Sequence, residues 1–417
     1  MATVRHDDGD DAARLRAAMV DELRGDPITS TAVADAMGVV PRHLFAPQTS
    51  LKEVYESNTA VPVKRDRDGL TLSSLSAAHL QATMLEQAAI GPGMSVLEIG
   101  SMGYNAALLA ELVGPAGHVT SVDIDPDIVE RARAGLARAG YDRVEVVLAD
   151  AEYGVPAAAP YDRIIVTFDS PDIPPAWLEQ LAGDGRIVVP LRMKGVTRSI
   201  AFDRDGDGLI SRDYRLCRFV PAQGDGAHAP RRLTLDTEVY LSVEDGEEAG
   251  FEVAALQRAL RRPATRSWPG AAFDLPDELE LFLLTGSPRM ALLHASQTRI
   301  KEGLLNASAG LGVPALIAGD GSFAYRIKRA ARQGGDAFEC GVIAHGPSAA
   351  DVAARYGDLL CRWAGRFRRR GAARIRYLPA QTPIPQEANP GGVVRKRHGS
   401  VVVAWPENPH PPGGISA

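Results

Sequence analysis

The sequence predicts an α/β protein: a Rossmann-like parallel sheet covered on both faces, preceded by helices and followed by a separate α+β accessory region. Three observations carry this. From about Ala77 to Gly224, apolar runs ("SVLEIG", "HVTSVDI", "RVEVVLAD", "YDRIIVTF", "RIVVPLRM") alternate with helical patterns ("YNAALLAELVG", "PDIVERARAGLARAG", "PPAWLEQLAG"), as strands buried by crossover helices do. The first of those strands ends in an acid and a glycine and turns at once into a helix, which is where an open parallel sheet meets its ligand. Beyond about Asp225 the alternation gives way to a different texture of hairpins and amphipathic helices. The expected organisation is a helical and lid segment at 1–76, the sheet domain at 77–224 and the accessory domain at 225–417.

In chain order, "DDAARLRAAMVDEL" places Leu15, Met19 and Leu23 on one helical face, and the next helix has a cap at Ser30 or Thr31 and ends before Pro41. The polar segment Lys52 to Ser76 holds "KRDRDG", read as a surface hairpin or lid. After the sheet domain, "SIAFDRDGDGLISRDY" reads as an antiparallel hairpin. Its "DRDGDG" resembles the start of a calcium loop, but Tyr214 stands where the bidentate acid is needed, so a turn is the better reading. In the accessory region "FEVAALQRALRR" and "PDELELFLLTG" are helical, and "VPALIAGDGSFAYRIK" turns around Gly319 to Ser322. "DVAARYGDLLCRWAGRF" puts Val352, Tyr356, Leu359, Leu360, Trp363 and Phe367 on one stripe.

Composition narrows the function. With 45% hydrophobic and 24% charged residues the chain has the make-up of a soluble globular protein. A net charge of -6 argues against general nucleic-acid binding. No apolar run is long enough for a membrane span and no signal peptide opens the chain. Three cysteines (Cys217, Cys340, Cys361) form no CxxC pair and the histidines no HExxH, so the expectation is a cytoplasmic protein without a metal site. Arginines accumulate from Arg362 to Arg376 with no acid between Leu359 and Gln386. They read either as a solvated helix end or as a surface for an acidic peptide, with Arg366 and Arg369 as substrate contacts.

"EIGSMGYN" lacks the GxGxxG of a dinucleotide site. An acid two residues ahead of the first glycine suits S-adenosyl-L-methionine, whose cationic amino group Glu98 would meet. Gly100, Ser101, Met102, Gly103 and Asn105 then form the loop. Asp123, about 20 residues beyond Gly103, stands where an acid meets ribose hydroxyls, with Ile124 beside it. Asp150 and Ala151 follow the third strand, where a carboxylate or an amide meets adenine. The alternative is an ordinary βα turn with a helix-packing glycine.

The same residues resemble the protein-L-isoaspartate O-methyltransferase family. "VPRHLFAP", "LEIGSMGYNAALLAEL", "HVTSVDID", "LADAEYG", "APYDRIIVT", "PPAWLEQLAGDGRIVVP" and "FVPAQG" occur in the family's order over residues 12–224. The resemblance implies an enzyme that methylates an aspartyl or isoaspartyl carboxylate and releases S-adenosyl-L-homocysteine. It aligns "SLSAAH" with the family's Thr-Ile-Ser-x-Pro, which makes Ser76 the acceptor-orienting serine, with Ser74 and His79 as acceptor contacts. By the residues alone, Ser76 reads equally as a turn serine and His79 as packing on its helix. Thr167, ending the fourth strand, is the second catalytic candidate, or a structural threonine.

Two departures stand out: the loop is one residue shorter, with Met102 at the second glycine, and Ala78 replaces the motif's proline. With the extra C-terminal region they resemble the branch associated with ribosomally made modified peptides. That branch implies a modified, lanthipeptide-type precursor as partner and an ester collapsing to succinimide (aspartimide) or isoaspartate. A general repair enzyme, a small-molecule methyltransferase and a non-catalytic S-adenosyl-L-methionine-binding module are the rivals. The oligomeric state is left open.

Overall fold

The structure is a computed structural model and describes residues 9–406 except 101, 245–249, 275–277, 332–337 and 385–391. It divides into two compact units. The first takes in the described residues up to Arg192, Thr197–His228 and Arg397–Gly399; the second takes in Met193–Val196, Ala229–Lys396 and the residues from Ser400 onward.

The first unit opens with α1 (Asp10–Leu23) and α2 (Thr31–Val39), the latter capped by Ser30, whose side chain accepts from the Val33 amide. A short helix α3 (Leu51–Val54) and the hairpin β1 (Val61–Arg65) and β2 (Thr71–Leu75) follow, then α4 (Ala78–Ala88). The parallel core comprises β3 (Ser95–Ile99), β4 (His118–Asp123), β5 (Glu145–Leu148), β6 (Tyr161–Val166) and β7 (Leu181–Met193). It is crossed by α5 (Tyr104–Val113), α6 (Pro126–Ala139) and α7 (Pro175–Gln180). The hairpin β8 (Val196–Asp205) and β9 (Gly208–Leu216) continues it. Spatial order is β9-β8-β7-β6-β3-β4-β5. "DRDGDG" is the β8–β9 turn, and Asp203 there binds Arg186 at 2.6 Å and Arg212 at 3.4 Å.

Strand parity explains the apolar runs. Val96, Val119, Ile165, Val188 and Ala201 pack on one face into a core with α1, α2, α4, α5 and α6. Leu97, Ile164, Ile187 and Val189 alternate to the other face and are buried too, so both faces are covered as the sequence predicts. The N-terminal helices share that core with the sheet. Among the described residues no helix is long and apolar enough to cross a membrane.

The second unit runs β10 (Arg231–Asp236), β11 (Val239–Val243), α8 (Val253–Leu260), β12 (Thr265–Ser267), β13 (Ala272–Phe273) and α9 (Leu279–Thr285). It continues through β14 (Met290–Ala295), α10 (Gln297–Lys301), β15 (Val313–Ile317), β16 (Phe323–Ala330), β17 (Phe338–His345) and α11 (Ala349–Arg362). A π turn at Trp363–Phe367 extends α11, and β18 (Arg374–Pro379), β19 (Gly392–Arg395) and β20 (Gly399–Ala404) end the described chain. Strands β10 to β17 form an antiparallel sheet of eight among the described residues. The expected stripe on α11 is buried at Val352, Tyr356, Leu360, Trp363 and Phe367. Phe282 and Trp405 stack against its end, with Trp363–Trp405 centroids 5.1 Å apart.

Candidate active site

The parallel register brings the expected cofactor residues to one edge. Ile99 pairs with Val122 and Val166, and Asp123 with Leu148. The carboxyl ends of β3, β4, β5 and β6 therefore lie side by side, with the order reversing between β3 and β6, the switch point where such sheets bind ligands.

The loop after β3 resolves the question set by Met102. Positive φ falls on Gly100 (+85°) and Gly103 (+88°), whereas Met102 is not among the positive-φ residues. Among the described residues of the loop the left-handed positions sit on the two glycines that the sequence keeps, so the methionine carries no left-handed strain. Met102 is 5% exposed and belongs to the core shared with the N-terminal helices. Ser101 lies outside the described residues. A Cβ on Gly103 would stand 3.0 Å from the Ala132 carbonyl of α6. Gly103→Ala is expected to lower the unfolding free energy by about 2 kcal/mol, combining left-handed strain with that contact; a urea titration with an unshifted midpoint would contradict it.

Glu98, expected to meet the cofactor's amino group, shares its face with Val96 and is fully buried. Its Oε2 accepts from Ser121 Oγ at 2.8 Å on the neighbouring strand, so it braces β3 against β4 beneath the loop. Thr167, expected as catalytic, donates its hydroxyl to the carbonyls of Ile99 (3.0 Å) and Gly100. Its one proton is committed to the loop, which makes it a positioning residue. The same closeness would put a Gly100 Cβ 3.2 Å from Thr167 Oγ1 and 2.9 Å from the Phe168 ring.

Asp123 ends β4 half-buried, its Oδ1 accepting from the Asp125 amide at 2.8 Å. Burial pushes its carboxyl up to about 6, partly offset by the amide hydrogen bonds and raised further by the Asp125 charge. Asp125 caps α6, and Lys64 of the β1–β2 hairpin binds it at 2.5 Å and Asp127 at 3.0 Å. This ties the predicted lid to the strand end that carries Asp123. Asp150 accepts at both oxygens, from the Glu152 amide at 2.9 Å and the Asp225 amide at 2.8 Å. Both of its carboxylate oxygens are thus engaged in shaping the turn. Ala151 is held by Trp177 Nε1, which donates to its carbonyl at 2.7 Å. At the start of α5 the Asn105 amide nitrogen is buried without a hydrogen-bond partner.

Ser76 and Ser74 line a cavity of about 440 Å³ together with Arg65, Thr71, Arg218 and Phe219. Phe219, Val220 and Pro221 of "FVPAQG" line it too, and the Asp169 amide donates to the Val220 carbonyl at 2.7 Å. His79 does not line it: its main-chain N–H donates to the Ser57 carbonyl at 3.0 Å, and its Nδ1 lies 3.2 Å from the same oxygen. The ring is therefore packing at the start of α4, not an acceptor contact. The main structural residue that sequence reasoning missed is Arg42. It is fully buried, and its guanidinium donates to the carbonyls of Val54 (2.7 Å) and Ser76 (2.6 Å) and to Gln81 Oε1 (2.6 Å). Only the family wording "VPRHLFAP" pointed at it. In the second unit Arg369, with Arg368, binds Asp274 at 2.7 to 3.0 Å and holds that carboxyl well below the usual range. Arg366 is exposed. The arginine cluster is thus partly neutralised from outside its own segment.

A family model described as "Protein-L-isoaspartate(D-aspartate) O-methyltransferase" matches residues 14–227, just over half of the chain. The chain belongs to the protein-L-isoaspartate O-methyltransferase family. Protein-L-isoaspartate O-methyltransferase 2 of Archaeoglobus fulgidus is 38% identical over 212 residues, covering 50% of this chain and 93% of that one. A solved protein-L-isoaspartate O-methyltransferase is 22% identical with a TM-score of 0.49, covering 87% of this chain and 96% of that one. A putative one from Plasmodium falciparum, in complex with S-adenosyl-L-homocysteine, is 18% identical with a TM-score of 0.43, covering 49% and 96%.

This family member is a carboxyl O-methyltransferase, and its cofactor is S-adenosyl-L-methionine. The residues present fit that cofactor: Gly100 and Gly103 supply the left-handed backbone positions of the loop after β3, and Asp123 at the end of β4 offers a carboxylate. S-adenosyl-L-methionine supplies an electrophilic methyl group. The chain supplies alignment and exclusion of water.

Proposed function

We propose that this enzyme methylates the side-chain or isoaspartyl carboxylate of an aspartyl residue presented by a peptide, with the acceptor seated in the Ser76 cavity. One observation carries the reading: the cavity lining includes two arginines and three hydroxyl side chains but no acid. Such a wall favours an anionic acceptor. An aspartyl carboxylate is ionised at neutral pH, its ordinary pKa being about 3.9. No general base is needed, in keeping with the absence of a nucleophile–base pair in the sequence reading. The cavity's task is to turn one carboxylate oxygen toward the methyl donor. Arg42 clamps the Ser76 carbonyl from behind, which fixes the serine while its hydroxyl serves the acceptor. Ser76→Ala is expected to lower kcat/KM for the acceptor roughly tenfold, the worth of one hydrogen bond to a charged group. Calorimetry should find S-adenosyl-L-homocysteine affinity unchanged; equal turnover in the variant would remove Ser76 from the acceptor site.

Within this reading the narrower acceptor is a ribosomally made, modified precursor peptide. Its support is the second compact unit beyond the family-matched residues and the departures at Met102 and Ala78. A panel of unrelated isoaspartyl peptides, run against a cyclised Asp-containing precursor, separates it from damage repair. Comparable kcat/KM across the isoaspartyl panel assigns repair; methyl transfer to the precursor alone assigns maturation.

A further inference from the structure

Three residues from near the end of the chain, Arg397–Gly399, belong to the first compact unit. They are held by specific contacts. The His398 main-chain N–H donates to Asp172 Oδ2 at 2.6 Å, and its ring Nε2 lies 3.1 Å from Glu152 Oε1. Arg397 Nη1 donates to the Asp225 carbonyl at 3.4 Å. Glu152 is the second residue after Asp150, in the one-turn 3-10 helix Ala151–Tyr153. Its side chain is 12% exposed and that of His398 is 21% exposed.

The other contacts of that turn come from residues nearer in sequence. Asp225 binds Asp150 through its amide, and Tyr153 donates its hydroxyl to Asp225 Oδ2 at 2.6 Å. Trp177 holds Ala151, and Gln180 Nε2 donates to the Tyr153 carbonyl at 2.9 Å. His398 is the contact on the remaining carboxylate, Glu152. A Cβ on Gly226 would meet Glu152 Oε2 at 2.5 Å, so that carboxylate is hemmed in on the opposite side as well.

We propose that His398 is a positioning residue for the cofactor site: its ring fixes Glu152, and through it the Asp150–Ala151 turn that takes the adenine. The proposal rests on adenine binding at that turn and is independent of the acceptor. A mostly buried carboxylate that loses its hydrogen-bonding partner either shifts or draws in water, and both loosen a turn whose order the cofactor otherwise finds ready-made. His398→Gln keeps a donor at the Nε2 position, whereas His398→Ala removes it.

The test is calorimetry with S-adenosyl-L-homocysteine, read beside steady-state kinetics. His398→Ala is expected to raise Kd roughly tenfold, with His398→Gln restoring most of the affinity. The S-adenosyl-L-methionine KM should rise while kcat and acceptor KM stay within about twofold. Amide exchange at Glu152–Gly154 in the cofactor-free protein should quicken in the alanine variant only. With Glu152→Gln as partner, the two substitutions should be non-additive. Unchanged Kd in His398→Ala, or equal losses in kcat and both KM values, would overturn the role of His398. If Asp150→Ala and His398→Ala both bind normally, the adenine placement itself fails and the proposal falls with it.

Discussion

Arg42→Ala should lower the unfolding free energy by about 3–5 kcal/mol, because three buried acceptors lose their donor and a cavity is left. The guanidinium is fully buried, and it joins the Val54 carbonyl at the end of α3, Gln81 of α4 and the Ser76 carbonyl after β2. It also lies 4.9 Å from the centroid of the Tyr104 ring at the start of α5. Four separate elements of the first unit therefore meet on one side chain. Burial lowers its pKa from the ordinary arginine value and pushes the Tyr104 phenol up to about 12, so Tyr104 stays neutral and polarises toward the cation. Arg42→Lys keeps the charge but cannot serve three acceptors in fixed directions, so an intermediate loss is expected. Urea unfolding measures both; a midpoint shift worth less than about 1 kcal/mol in the alanine variant would show the network to be dispensable. Where the variant remains folded, acceptor KM should rise, because the Ser76 carbonyl has lost its clamp.

Asp123→Ala should weaken S-adenosyl-L-homocysteine binding by about a hundredfold, the loss of charge-assisted hydrogen bonds to a carboxylate. The raised pKa adds a pH signature. The cofactor-free site holds Asp123 near 6 rather than the usual 3.9 or so, through burial first. The folded, cofactor-free protein therefore binds this proton more tightly than the unfolded chain. The associated stability is present at low pH and lost as pH rises through about 6. Cofactor binding prefers the anion, so its dependence runs the other way. Affinity should be level from about pH 7 to 8 and fall by up to tenfold per unit below about pH 6. Asp123→Asn should bind weakly and without that step. Calorimetry across this range decides it: a wild-type Kd that stays flat down to about pH 5 would exclude an ionised Asp123 as the ribose contact.

The fold was legible where side-chain periodicity is strong. Near-continuous apolar runs such as Val96–Ile99 and Ile164–Val166 announce strands buried on both faces, and the glycines at 100 and 103 announce the turn that follows the first. In the second unit the alternation of Leu233 with Leu235, and of Val239, Leu241 and Val243, was an available strand signal that went unread. So was Met290–Ala295, whose unbroken apolar run suits strand or helix equally. Those strands, β10, β11 and β14, are the first three of the second unit's sheet.

The site was legible as a set of residue types and less so as a set of roles. Sequence spacing placed Asp123, Asp150 and the glycines at neighbouring strand ends, and the register agrees. It could not show that Glu98 and Thr167 have protein partners in Ser121 and the Ile99 carbonyl, because a polar group reads the same whether it meets a ligand or a carbonyl. Strand parity decides the first, since Glu98 must share the face of Val96. A cross-strand hydrogen bond decides the second. His79 and Arg369 fall to partners distant in sequence, Ser57 and Asp274, which no local pattern announces.

By itself the sequence determined the sheet, the cofactor loop and the family, because each depends on short-range periodicity and on residue types a few positions apart. Only the tertiary structure decided that Met102 carries no left-handed strain, that Arg42 anchors Ser76, and that His398 reaches Glu152. Those outcomes depend on backbone angles and on contacts between segments tens to hundreds of residues apart, and chain order does not encode them locally.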